Sequence, residues 1–185
     1  VLYIPLIIVS AVAASLWMDN LAHVSNEKGA MREVARDAHT WIISFLYIGT
    51  FGSFIGYSAA FPTLLKTVFD RGDIALSIGF LGALVGSVSR PLGGRLSDRL
   101  GGSRVTAASF VLMIVGALGA VSAVIGRNLL VFFVSFMVLF VATGIGNGST
   151  YRMIPAIFRR LGSERGGSAE DLATILRYGA LPTTL

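Results

Sequence analysis

The sequence predicts an all-α protein that crosses a membrane several times, and three observations carry that expectation. Of 185 residues, 54% are hydrophobic and only 14% are charged, where a soluble globular domain carries about 25% charged residues. The apolar residues gather into five runs, 1–18, 41–65, 74 to about 94, 105–125 and 129 to about 151. Each approaches or exceeds the ~20 residues that cross ~30 Å of hydrocarbon. Asp and Glu are missing from all five. Lipid offers backbone amides and carbonyls no water to bond, so each run is expected to be helical.

The first run, "VLYIPLIIVSAVAASLW", has neither a basic flank nor a cleavage site, so it does not read as a signal peptide. It opens at Val1 inside apolar sequence, and the far end, "ATILRYGALPTTL", stops where another span would begin. A segment of a longer polytopic protein is expected. Residues 19–40, "DNLAHVSNEKGAMREVARDAHT", are polar and much longer than the later connections, which suggests a hinge between two halves of a transporter. Residues 41–158 then hold four spans, and 159–185 form a cytoplasmic loop and a tail.

Lysine and arginine set the orientation. Segments 19–40, 95–104 and 159–165 hold Lys28, Arg32, Arg36, Arg95, Arg99, Arg104, Arg159, Arg160 and Arg165. The alternate loops hold only Lys66, Arg71 and Arg127. Nine against three places residues 19–40 in the cytoplasm. The same placement excludes a nucleic-acid partner despite a net charge of +5, because the basic residues lie in short loops between apolar runs instead of clustering on a soluble face. With no cysteine, a disulfide framework, a thiolate metal site and a cysteine nucleophile are excluded. Both histidines, His23 and His39, lie in the polar segment, and no span holds a nucleophile with a base, so an enzyme is not expected.

In the second run, "WIISFLYIGTFGSFIGYSAAFPTLL", helical phase puts Gly49, Gly52 and Gly56 on one face and Tyr47, Phe51, Phe54 and Ser58 roughly opposite. Either the aromatic residues meet lipid, or the glycines pack and the aromatic residues line a pathway. In the third, "SVSRPLGGRLSDRLGGSR" brings Arg90 into or beside the membrane. An arginine at a helix centre costs ~2.5 to 3.5 kcal/mol on insertion scales, which makes a retained one a functional candidate. Against this, Arg90 lies only five residues before Arg95, about 8 Å at helical rise, and could snorkel to the interface. Phase favours the first account. Gly79, Ala83, Gly86 and Arg90 form one narrow stripe, and small residues mark helix contacts in membranes. Arg90 therefore points into protein.

The last run leads into "GIGNGSTYRMIPAIF". Gly144, Gly148 and Arg152 recur every fourth residue with Asn147 and Tyr151 beside them, which lets two backbones approach while polar groups face a cavity. Alternatively Gly144 and Gly148 form a plain packing motif and Arg152 is a membrane-edge charge. Pro155 removes an amide donor and crowds the Tyr151 carbonyl, so the helix is expected to bend or end there.

Three stretches carry a resemblance. "GRLSDRLGGSR", residues 94–104, resembles the cytoplasmic loop motif of the major facilitator superfamily. "GNGSTYRMIPAIF", residues 146–158, is similar to the signature of the nitrate/nitrite porter family within it, and residues 40–62 resemble that family's seventh helix. The resemblance implies part of the C-terminal six-helix bundle, with the five spans as helices six to ten. It also implies that Arg90 binds the anion, that Tyr47 and Phe51 flank it, and that Gly146, Asn147, Gly148 and Ser149 lie beside it. Gly94, Asp98, Arg99, Gly144 and Pro155 are the expected gating or structural positions. No cofactor or metal is implied, and the partners are nitrate, nitrite, the bilayer and an N-terminal half. Nitrate and nitrite are small planar monoanions, and a guanidinium is a planar fork of donors. The spans hold no carboxylate to carry a proton, so exchange of one anion for the other is expected. The rival expectations are a major facilitator for another small anion or organic solute, and a membrane sensor or anchor without transport.

Overall fold

The computed structural model describes residues 3–17 and 36–164. All regular structure among them is helical. Helix α1 (Tyr3–Trp17) belongs to one compact unit and every later helix to a second. Its 15 residues rise about 22 Å, and Ile4, Ile7, Ile8 and Leu16 leave it apolar on all sides, as lipid contact requires. Residues 19–35 and 165–185, with most of the expected central loop and the tail, lie outside the described residues.

In the second unit four helical stretches are long and apolar enough to cross a membrane. The first is composite: α2 (Ala38–Tyr47), a π-turn at Ile48–Gly52 and α3 (Ser53–Thr67). Helix α2 starts where Asp37, in extended backbone, accepts the His39 amide at 2.9 Å on its carboxylate, an N-cap. Thr50 sits in the π-turn, fully buried, and its hydroxyl donates to the carbonyls of Leu46 at 3.1 Å and Tyr47 at 3.2 Å. A wide turn frees such carbonyls, and a hydroxyl can bond them locally. Asp70, at φ 53°, closes the far end as the Arg71 amide donates to the Leu65 carbonyl at 3.0 Å.

Helix α4 (Gly72–Leu100) and α5 (Gly102–Ile125) are separated by Gly101 alone. Its φ of 90° and ψ of 132° suit glycine and strain residues with a Cβ. The charged loop expected over 95–104 is thus helix except for one residue. Arg95, Asp98 and Arg99 are exposed on α4, because charges mark where a helix leaves lipid and intrahelical hydrogen bonds continue into water unchanged. Arg127 at φ 48° turns the chain back, and the Asn128 side chain accepts the Val131 amide at 3.1 Å to start α6 (Leu129–Glu164).

Helix α6 runs through Pro155 to Glu164. Of the expected bend or end at Pro155, the end is not found, and residues 159–164 are helix, not loop. A proline costs one hydrogen bond and crowds one carbonyl; Tyr151 and Pro155 are both exposed, so solvent can satisfy what is lost. Helix α6 is also the centre of the unit. Phe132, Phe136 and Phe140 are at most 3% exposed and enclose Phe61 of α3, with ring centroids 5.3 to 6.0 Å from it, the spacing of favourable aromatic pairs.

Candidate functional site

Glycine sets how closely α4 and α6 approach. A Cβ added at Gly144 would collide with the Gly86 carbonyl oxygen, one at Gly148 with the Arg90 carbonyl oxygen, and one at Gly93 with the Ile145 backbone. Packing that close is the main attraction between helices in lipid. It fixes the backbone of Arg90 directly on α6. At Gly94, by contrast, the nearest atom to an added Cβ is the Gly148 carbonyl oxygen at 3.9 Å, so Gly93 carries the contact and Gly94 does not.

The Arg90 side chain reaches over the composite span. Its Cζ lies 4.9 Å from the centroid of Phe54 and 5.4 Å from that of Phe51, within cation–π range. Tyr47 stacks on Phe51 at 5.3 Å and 16°, Phe51 stacks on Phe54 at 6.4 Å and 17°, and Tyr151 of α6 meets Tyr47 edge-on at 5.5 Å. Arg90 is half-buried, and its Nε is buried with no hydrogen-bond partner. Among the described residues no carboxylate pairs with it. A guanidinium laid beside aromatic rings with donors unused is suited to accept a small anion, and the poorly solvated surroundings strengthen the pairing.

Of the sequence-predicted residues, the structure brings Arg90, Tyr47 and Phe51 into one cluster and adds Phe54 and Tyr151. The expected direction of Arg90 is found: an added Cβ would meet Pro62 at Gly79, and Phe54 at Gly86, so the small-residue stripe faces protein. The signature residues divide among neighbours. Gly146 packs on Thr50 and Ser109, Gly148 lies on the Arg90 carbonyl, and Ser149 shares a 2.6 Å hydrogen bond with Thr106 of α5. Asn147 is 3% exposed and stands one helical turn before Tyr151, on the same side of α6.

At two positions the sequence left alternatives open. Gly49, Gly52 and Gly56 do not pack as one face: Gly49 meets Phe110, while Gly52 and Gly56 meet no neighbouring helix among the described residues. The π-turn has more residues per turn than the α-helix, so a wheel drawn through it at 100° misplaces them, and Thr50 takes the buried position. For Arg152 the membrane-edge alternative holds, and it does not face a cavity. Its Nε donates to Asp98 of α4 at 2.7 Å, with the two side chains 62% and 49% exposed, which is the membrane-edge arrangement. Arg99 is exposed and joins no ion pair among the described residues.

The sequence matches the Major Facilitator Superfamily over residues 1–178. It is 37% identical over 177 residues to the nitrate/nitrite transporter NarU of Escherichia coli strain K12, covering 92% of this chain and 38% of that protein. It is 35% identical over 183 residues to the probable nitrate/nitrite antiporter NarK2 of Thermus thermophilus, covering 96% and 41%. With the nitrite extrusion protein of Bacillus subtilis strain 168 it shares 28% over 153 residues, 80% of this chain and 36% of that one. The chain therefore spans about two fifths of the length of these relatives. Four membrane-length helices packed through glycine, and a family match over nearly the whole chain, lead to one conclusion: this is a multi-pass membrane chain of the major facilitator superfamily.

Proposed function

We propose that the complete protein carries nitrate and nitrite across the membrane, exchanging one for the other by alternating access of two helical bundles. The observation that carries this is Arg90, laid over Phe51 and Phe54 with no carboxylate partner among the described residues. A planar fork of donors fits a planar oxyanion, and flat rings confine a flat ion. The relatives named as nitrate/nitrite transporters support the choice of anion. In this proposal Arg90, Tyr47, Phe51 and Asn147 meet the ion, while Gly146, Gly148 and Ser149 hold α6 at the distance that keeps them there. An N-terminal half supplies the rest of the site. The charge count supports a cytoplasmic position for residues 19–40 and insertion in the cell membrane.

The test is counterflow. In liposomes holding the full-length protein and no pH gradient, internal nitrite is expected to accelerate uptake of labelled nitrate, and internal nitrate to accelerate nitrite uptake. Uptake that ignores the internal anion, or that needs an imposed proton gradient, would overturn exchange.

The Asp98–Arg152 pair ties the emergent end of α4 to α6. Exposed ion pairs contribute little to stability, so we assign it to keeping the two helix ends moving together. Asp98→Asn is expected to slow exchange severalfold while leaving nitrate affinity nearly unchanged. A large loss of equilibrium binding at normal turnover would contradict this assignment.

A further inference from the structure

Away from the Arg90 cluster, α4 and α5 leave a groove of about 400 Å³ between them, floored by Ile145 of α6. That size falls in the range of roughly 300 to 1,000 Å³ typical of small-molecule clefts. Its walls are Leu96 and Leu100 on α4 and Ala108 and Leu112 on α5, and its one charged lining residue is Arg104. Leu96, Leu100 and Leu112 are 40%, 56% and 39% exposed, so the groove is open along its length among the described residues.

Its polarity is one-sided. Arg104 stands three residues after Gly101, near the end of the groove closest to the turn. From there to Leu112 the groove runs eight residues into the apolar part of α5, about 12 Å at helical rise. Arg104 is exposed and joins no ion pair among the described residues; Asp98, the carboxylate nearest in sequence, is held by Arg152. A cation at one end of an otherwise apolar channel matches a ligand with an anionic head and an apolar tail, and basic pockets between membrane helices take such headgroups.

We propose that this groove binds an anionic phospholipid, with the phosphate on the Arg104 guanidinium and one acyl chain lying against Leu100, Ala108, Leu112 and Ile145. The charge complementarity selects a phospholipid over a second apolar helix, which would leave Arg104 unmatched. The site is separate from the Arg90 cluster, so neither the identity of the transported ion nor the direction of transport bears on it.

The experiment uses the full-length protein in vesicles of phosphatidylcholine doped with one of two photoreactive lipids, phosphatidylglycerol or phosphatidylcholine, each carrying a diazirine on an acyl chain. Adducts are mapped by mass spectrometry, and each variant is checked for monodispersity and thermal stability. Phosphatidylglycerol is expected to label the 96–112 segment and Ile145 more than phosphatidylcholine does, by about fivefold for one basic contact. Arg104→Gln should remove that preference, and Ala108→Trp, at an exposed position, should block labelling by either lipid. Arg127→Gln, at the opposite end of α5, should change nothing. Equal labelling by the two lipids would reduce the groove to ordinary bilayer contact. Absence of adducts from these helices would mean that another segment or protein covers it. A preference that survives Arg104→Gln would break the link to that residue. Each of these three results overturns the proposal.

Discussion

Replacing Gly148 with leucine in the complete protein is expected to abolish nitrate/nitrite exchange and to cut accumulation in the membrane. The position has no room for any Cβ, because the Arg90 carbonyl oxygen already occupies that space. Backbone cannot rotate aside as a side chain does, so α4 and α6 must part by an ångström or more. Overpacking a tight interface costs about 1 to 3 kcal/mol, occasionally more. The same displacement carries Arg90 away from Phe51 and Phe54, and a shift of about 1 Å in a positioned group can cost on the order of 100-fold in rate. Gly144, against the Gly86 carbonyl oxygen, should respond alike. The measurement is uptake normalised to protein recovered in a monodisperse peak. Normal exchange by both leucine variants would show that α4 and α6 do not depend on this approach.

Arg90→Lys is the second large effect. The substitution keeps the charge and discards the planar fork, which at a bidentate or stacked position is not conservative. Hydrogen bonds to charged groups contribute roughly 1.5 to 3 kcal/mol each, so losing one weakens anion binding about tenfold or more. The guanidinium also lies over two aromatic rings at 4.9 and 5.4 Å, and an ammonium on a flexible stem does not reproduce that plane. At least a tenfold loss of nitrate affinity is expected, with exchange falling in step, in a variant as stable as the parent. If Arg90 only reached for the interface, lysine would serve equally. Unchanged affinity and exchange would sink the assignment of Arg90 to the anion, whatever the other residues do.

What could be foreseen without coordinates follows from what hydropathy and phase measure. Runs of apolar residues report where chain meets lipid, so the four later spans were legible, and the stripe through Gly79, Gly86 and Arg90 was legible because α4 is regular over those residues. Helix ends were not. Charges at Arg95, Asp98 and Arg99 report water, and α4 continues into water as helix until Gly101. For the same reason α6 outruns its apolar part, past Arg152 and Pro155. The Asp98–Arg152 pair joins residues 54 apart in sequence, and nothing local marks such partners. Of the candidate cluster, Tyr47, Phe51 and Phe54 share a face under ordinary phase. That Thr50 and not the glycines takes the buried side could not be foreseen, because no propensity in "YIGTFGS" announces a π-turn.

That turn has a genetic consequence. A π-turn holds roughly one residue more than the α-helical turn it replaces, so losing one codon between Ile48 and Gly52 would let the helix close into regular α geometry. The remaining span would still hold 29 of its 30 residues, with its hydropathy nearly untouched, and membrane insertion has little reason to fail. Because the wide turn already absorbs the extra residue, losing any of its codons but that of Phe51 would leave α2 near its present phase against α3, and Tyr47 would stay beside Phe51 and Tyr151. A one-codon loss that in a regular helix would swing one end by about 100° against the other is thus expected to be absorbed here, leaving an inserted carrier that keeps its aromatic stack.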